Sequence, residues 1–283
     1  MPEWIIRVLE NPEEMSAIEQ LQRLVWACPD IEIVPKDMLL AVVHNGGLAI
    51  GAFVGDELVG VCFGFPAFYT TPDGPRLKHH SHLLAVNPDW RSKGIGFSLK
   101  RAQWQMVRKQ GLDRITWTFD PLLSRNAHLN IARLGAVCNT YLPSAYGEMR
   151  DGLNAGLPSD RFQVDWWLRT QRVERRLSRR SRPTLTFDQY RLAEAALLEA
   201  QSGHGSAARP LEVVPQFVGT LLLVEIPSDF LAMKSADLPL ARDWRFYTRE
   251  VFENAFSAGY LVTDFVHDKR RSFYVLTHGE TTL

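Results

Sequence analysis

The segment that most constrains this chain is Leu84-Ala85-Val86-Asn87-Pro88-Asp89-Trp90-Arg91-Ser92-Lys93-Gly94-Ile95-Gly96. His79 to Val86 reads as a strand. Ile95, Leu99, Ala102 and Met106 then fall on one face of a helix that stops at Gly111. A strand therefore feeds a polar turn whose glycines open a helix. Glycine lets backbone come close to a ligand, and the first amides of a helix have no partner inside it. Together with the helix dipole they make an anion site suited to a pyrophosphate. A dinucleotide fingerprint would need a third glycine where Leu99 stands, and a nucleotide P-loop would need Gly-Lys-Ser/Thr. Neither pattern is present.

The chain around this segment is an ordinary globular one. It has 283 residues, 46% hydrophobic and 23% charged, enough for one large domain or two ordinary ones and unlike disordered, collagenous or coiled-coil chains. Lys+Arg and Asp+Glu both number 32, so no whole-chain attraction to nucleic acid or anionic membrane is expected. The uncharged stretch Leu58–Pro72 is too short and too interrupted to span a bilayer. Met1-Pro2-Glu3 does not start a secretory leader, so a cytoplasmic location is expected. Cys28, Cys62 and Cys138 have neither metal spacing nor a disulfide framework and read as reduced residues.

Periodicity places a strand at Trp4–Leu9, a helix capped by Asn11 and a shorter helix from Pro35. Strands at Leu48–Val54 and Leu58–Phe65 form a hairpin around Gly55-Asp56-Glu57. After the motif helix come a strand at Ile115–Phe119, a helix at Arg125–Leu134 ending on Gly135, and strands near Val137–Leu142 and Phe162–Leu168. The run from Arg169 to Arg182 carries seven arginines against one acid, Glu174, and reads as a solvated linker helix. Beyond Pro183 a helix near Gln189–Gln201, a strand at Thr220–Ile226, a helix at Leu238–Ala258 and a final strand pair are expected.

Arg-x-x-Gly-x-Gly after a strand ending in Val-x-Pro resembles the acyl-CoA motif of the GNAT superfamily of N-acetyltransferases. The element order and the segment Asn126-Ala127…Leu134-Gly135-Ala136 are similar to that family as well. The resemblance covers roughly residues 4 to 169. It implies a mixed α/β fold with a GNAT catalytic domain at residues 1–169, a linker at 170–182, and a C-terminal α/β section at 183–283. That last section resembles a degenerate GNAT unit without a phosphate loop.

The resemblance also implies roles. Backbone groups of Leu84, Ala85 and Val86 would pair with the pantetheine arm. Amides from Ser92, Lys93, Gly94, Ile95, Gly96 and Phe97 would hold the pyrophosphate, with charge from Arg91 and Lys93. Asn126 would reach the cofactor from the other wall, and the Val86 amide would serve as oxyanion donor. The reaction would be direct attack of an amine on the thioester, with no metal. The family's tyrosine acid falls on Ile131 here, which leaves Tyr141 and Tyr146 as substitutes. His82, on the motif strand and in phase with Leu84 and Val86, is the expected base, and Asp120 the second candidate. Arg161 is a candidate clamp for a carboxylate. The expected activity is transfer from acetyl-CoA to a small-molecule amine, by a monomer or homodimer. Succinyl-CoA with an amino-acid acceptor, and a non-catalytic acyl-CoA-binding protein, are the alternatives.

Overall fold

A computed structural model describes residues 3–26, 32–149, 155–178, 184–203 and 207–279. The chain divides into two compact units. One comprises Met1–Trp117, Arg150–Leu153 and Trp167–Arg169; the other comprises Thr118–Met149, Asn154–Trp166 and Thr170–Leu283.

The first unit opens with β1 (Ile5–Val8) and α1 (Pro12–Trp26). The Asn11 side chain accepts from the Glu14 amide at 3.0 Å, and the Glu14 carboxylate accepts in return from the amides of Glu10 and Asn11. This reciprocal cap is why the helix starts where the sequence predicts. Then come α2 (Lys36–His44), β2 (Leu48–Val54), β3 (Glu57–Thr71) and β4 (Gly74–Val86). β3 and β4 form one long antiparallel hairpin, from Gly60 opposite Val86 to Thr71 opposite Gly74. Residues 66–78 were not expected in strands, because Pro66 and a polar stretch interrupt the pattern. Pro66 is tolerated because β2 pairs no further along β3 than Gly64, so β3 is an edge strand there. α3 (Ile95–Lys109) crosses over to β5 (Arg114–Phe119), which runs parallel to β4. α1 and α2 pack on one face of this sheet with Leu9, Met15, Phe63, Leu83 and Ala85. α3 packs on the other with Ile50, Cys62, Ile95 and Leu99, against partly buried Leu84 and Val86. A Cβ at Gly60 would lie 3.0 Å from Ile95 and 3.1 Å from Leu99, so that glycine lets α3 settle on the sheet.

In the second unit α4 (Ser124–Ala127) runs into a π-helical turn, His128–Arg133, in which the Leu134 amide reaches back to the Leu129 carbonyl at 2.9 Å. The expected helix exists, but its second half is wound more widely. β6 (Val137–Leu142), β7 (Arg161–Trp167), α5 (Gln171–Leu177), α6 (Phe187–Leu192) and β8 (Ala196–Leu198) follow. The chain then forms β9 (Leu221–Ile226), α7 (Phe230–Ala236), α8 (Leu238–Ser257), β10 (Tyr260–Asp268) and β11 (Arg271–His278). The strands run in the order β7-β6-β10-β11-β9-β8, antiparallel except for β8 beside β9. The architecture is mixed α/β.

Three expectations need correction. The helix near Gln189–Gln201 is short: a Thr186–Gln189 capping box starts it, Glu194 (φ +59°) ends it, and Ala196–Leu198 pair with β9 instead. Between the expected strand at Thr220–Ile226 and helix at Leu238–Ala258 the chain also forms α7, which Asp229 caps by accepting from the Ala232 amide at 3.0 Å. The arginine run does form a helix at Gln171–Leu177 and leaves Arg169 and Arg175 exposed, but two of its arginines turn inward instead of facing solvent. Arg172 donates to the carbonyl of Gly135 at 2.9 Å and to that of Thr263, and Arg176 donates to Ala132 at 2.6 Å and to the Asp264 carboxylate at 2.8 Å. These guanidinium groups satisfy carbonyls at the end of the π-helical turn, which have no helical partners of their own. Burial pushes the Arg172 pKa down to about 10. Arg179, Arg180 and Arg182 lie outside the described residues, as does Cys28; Cys62 and Cys138 are free and buried.

The core of the second unit holds a two-pronged ion pair. Arg245 on α8 donates to both oxygens of Asp120, at 2.9 and 2.5 Å, and is 2% exposed. Removing Arg245 leaves the buried Asp120 carboxylate, among the described residues, with only the Leu122 amide and, at 4.0 Å, Arg161. Arg245→Met should therefore destabilise the fold by about 3–5 kcal/mol, whereas the paired Asp120→Leu/Arg245→Met should recover most of that loss. Urea denaturation of the three proteins checks this, and equal stability of the single and double variants would contradict it.

Candidate active site

The first unit carries the glycine loop. Asn87 shapes the turn after β4 by accepting from the Asp89 amide at 3.1 Å and donating to Glu57 at 3.2 Å. Ser92 (φ +63°) and Gly94 (φ +95°) are both left-handed, and Gly94 immediately precedes α3. The Ser98 amide bonds the Gly94 carbonyl at 3.0 Å, so the amides of Ile95 and Gly96 lie ahead of that bond at the positive end of the helix. A Cβ at Gly94 would meet nothing closer than Trp4 at 4.0 Å. Glycine is required there for its backbone angle, not for room. Arg91 Nε donates to the Val86 carbonyl at 3.3 Å and the Lys93 ammonium lies 4.1 Å from the Trp90 ring, so two cations flank the loop. These residues fit a pyrophosphate.

β4 brings the loop an open strand edge. Its pairing with β5 runs through His79–Ile115 and His80–Thr116 and goes no further. Among the described residues, Ser81 to Val86 have no partner strand on that side. Leu84, Ala85 and Val86 are therefore placed as a strand-like ligand such as pantetheine would require.

His82 is not in phase with Leu84 and Val86. Phe63 pairs with Leu83 and Gly64 with Ser81, so His82 is the extra residue of a bulge. Its ring lies 6.2 Å from Phe63 and 6.0 Å from Phe65, which pack with α1 and α2, while Leu84 and Val86 pack with α3. The sequence reading missed His80, whose ring lies 6.2 Å from that of His82 and 5.3 Å from Phe65. His82 is solvent-exposed, yet desolvation by its neighbours holds its pKa below the usual 6.5. Burial, followed by the charges of His82, Lys78 and Lys100, takes His80 down to about 4. Both imidazoles are neutral at pH 7.

The opposite face of β4 is polar and closed. Lys100 Nζ donates to Ser81 Oγ at 3.0 Å and to Gln103 Oε1 at 2.8 Å, and lies 3.7 Å from the Trp117 ring. Gln103 Nε2 lies 3.2 Å from His79 Nε2. Burial lowers Lys100 to about 8 and His79 to about 3, and raises Cys62.

In the second unit one network holds Asp120, Tyr141 and Arg161. Besides Arg245, Asp120 accepts from the Leu122 amide at 2.9 Å. The Tyr141 hydroxyl donates to Asp160 at 2.8 Å, and burial with the Asp160 charge raises its pKa. Burial opposes the Asp160 charge, but hydrogen bonds from Arg249, the Ser144 amide and Tyr141 keep its pKa below the usual value. Arg161 is buried rather than paired at the surface. It donates to the Asp160 carbonyl at 2.8 Å and to Met149 sulfur at 3.3 Å, and lies 4.0 Å from Asp120. Tyr146 donates or accepts a 2.6 Å bond with Thr118, and Asn126 is exposed on α4.

Gly94→Val should abolish CoA binding while leaving a folded protein, because a β-branched residue resists the left-handed conformation that sets the direction of the following amides. Calorimetric titration with CoA checks this, and wild-type affinity in the variant would show that the loop is not the cofactor site.

Residues 15–135 match the family model described as "Acetyltransferase (GNAT) family". Comparison with curated protein sequences finds no match. Among solved structures, the ribosomal-protein-S18-alanine N-acetyltransferase from Escherichia coli is 14% identical; the alignment covers 59% of this chain and 94% of that one, with a TM-score of 0.45. An aminoglycoside 6'-acetyltransferase type Ii is 21% identical over 58% of this chain and 97% of that one, with a TM-score of 0.45. A GNAT-family acetyltransferase from Streptococcus pneumoniae is 13% identical over 58% and 98%, with a TM-score of 0.44. The glycine loop and the open edge of β4 both lie within residues 15–135, the segment that matches the GNAT acetyltransferase family.

Proposed function

We propose that this chain transfers an acetyl group from acetyl-CoA to a small-molecule amine by direct attack on the thioester. The observation that carries this reading is the junction of an open β4 edge with a left-handed glycine and the free end of α3. The pyrophosphate lies against the amides around Gly94 to Gly96 with Arg91 and Lys93 beside it, and the pantetheine arm pairs along Leu84 to Val86. The amine attacks the thioester carbonyl, and the Val86 amide supports the charge that develops on its oxygen. His82 takes the proton the amine loses, and the thiolate leaves as the carbonyl reforms.

Asp120 and Tyr141 were alternatives for proton transfer. Asp120 is tied to Arg245, and Tyr141 donates to a carboxylate that raises its pKa, so both suit holding structure better than moving protons. For the acyl group and acceptor, acetyl and a simple amine remain the reading; succinyl transfer to an amino acid is what an amine and acyl-CoA panel with thiol detection separates from it.

His82→Ala should lower turnover by about 10²- to 10⁴-fold with little change in acyl-CoA affinity. The active form is the neutral imidazole, and its pKa lies below 6.5. Wild-type activity should thus be full at pH 7 and fall as pH drops through that lowered value, and the variant should lack this limb. A pH–rate profile unchanged in the variant would remove His82 from the mechanism.

One CoA should bind per chain. The corresponding turn of the second unit, between β9 and α7, has the Asp229 carboxylate where an anion would sit. A calorimetric stoichiometry of two would contradict this.

A further inference from the structure

We propose that Lys100 is a positioning residue for acyl transfer: from the α3 side it anchors Ser81 and so fixes the β4 bulge that turns His82 to the opposite face. This rests on His82 being the base. The bulge needs explaining, because a strand that kept its alternation would point His82 the way of Leu84 and Val86. Two features build it. Gly64, opposite Ser81, lets the strands close up: a Cβ there would fall 2.4 Å from His79 Nε2 and 2.4 Å from the His80 carbonyl. Lys100 then holds the Ser81 hydroxyl at 3.0 Å, and Cys62 Sγ lies 3.9 Å from the same oxygen.

Lys100 is itself fixed. It is 2% exposed, and Gln103 and the Trp117 ring hold the ammonium in place. Gln103 also extends the network to His79, so alternate residues 79 and 81 of β4 are tied to α3. His80 and His82 are thereby left on the other face. An ammonium removed from water needs all its partners, which makes this anchor stiff. Fixing a base to within a fraction of an ångström is worth large factors in rate, so an anchor one residue away acts on turnover rather than on cofactor binding.

The test compares Lys100→Met, Ser81→Ala, His82→Ala and Lys100→Met/His82→Ala in the full chain. Turnover against pH, CoA affinity by calorimetry and the His82 imidazole titration by NMR are read for each. Lys100→Met and Ser81→Ala should each lower turnover by about 10-fold or more at wild-type CoA affinity. Both should move the His82 titration and the acid limb together, and the double variant should be no slower than His82→Ala alone. Turnover and His82 titration unchanged in Lys100→Met overturn the proposal, as does a double variant slower by the full Lys100→Met factor. Should Lys100→Met fail to fold, Ser81→Ala decides by the same readouts. Wild-type turnover in His82→Ala would instead sink the base assignment, and this proposal with it.

Discussion

The chemistry of the first unit depends on β4 leaving its neighbour. Pairing with β5 ends at His80, and from there to Val86 the backbone has, among the described residues, a partner strand only on the β3 side. In a continuous sheet those groups would be spent on another strand. Here they stay available, and the same strand delivers the chain into the Gly94 turn, whose left-handed angle aims α3 end-on at the space beyond. A strand edge and a helix end are thus built from one run of thirteen residues, Leu84 to Gly96. Neither needs a charged side chain to be buried.

The bulge at His82 is a second consequence of the same strand. It gives β4 two differently used faces. On one side Lys100, Ser81, Gln103 and His79 form a dry polar network. On the other, two neutral imidazoles stand beside Phe65: His80, half-buried with its pKa lowered to about 4, and His82, exposed with its pKa lowered below 6.5. Desolvation lowers both, and His80 alone also feels the charges of His82, Lys78 and Lys100. That makes the exposed histidine the better proton acceptor near neutral pH.

The second unit uses charge differently. Its guanidinium groups reach inward: Arg245 to Asp120, Arg249 to Asp160, and Arg172 and Arg176 to carbonyls around the π-helical turn. A wide helical turn leaves carbonyls without helical partners, and arginine, with five donors in a planar fork, satisfies several at once. The C-terminal residues are in this way part of what holds Asp120 to Gly135 in shape.

The sequence by itself determined the local order. Asn11 and Glu14 specify the start of α1, Gly111 and Gly259 specify stops, and Arg-x-x-Gly-x-Gly after a strand specifies a left-handed turn that opens a helix, because each depends on residues a few positions apart. What only the tertiary structure decided depends on pairing across the chain. β3 and β4 extend through Pro66 because β2 pairs with β3 no further than Gly64, and His82 changes face because Gly64 permits a bulge opposite Ser81. His80 went unseen because a period of two hides a residue whose face is set by that bulge. The arginine run looked solvated because its acceptors, Gly135, Ala132 and Asp264, lie from 37 to 88 residues away in sequence, a range that periodicity does not reach.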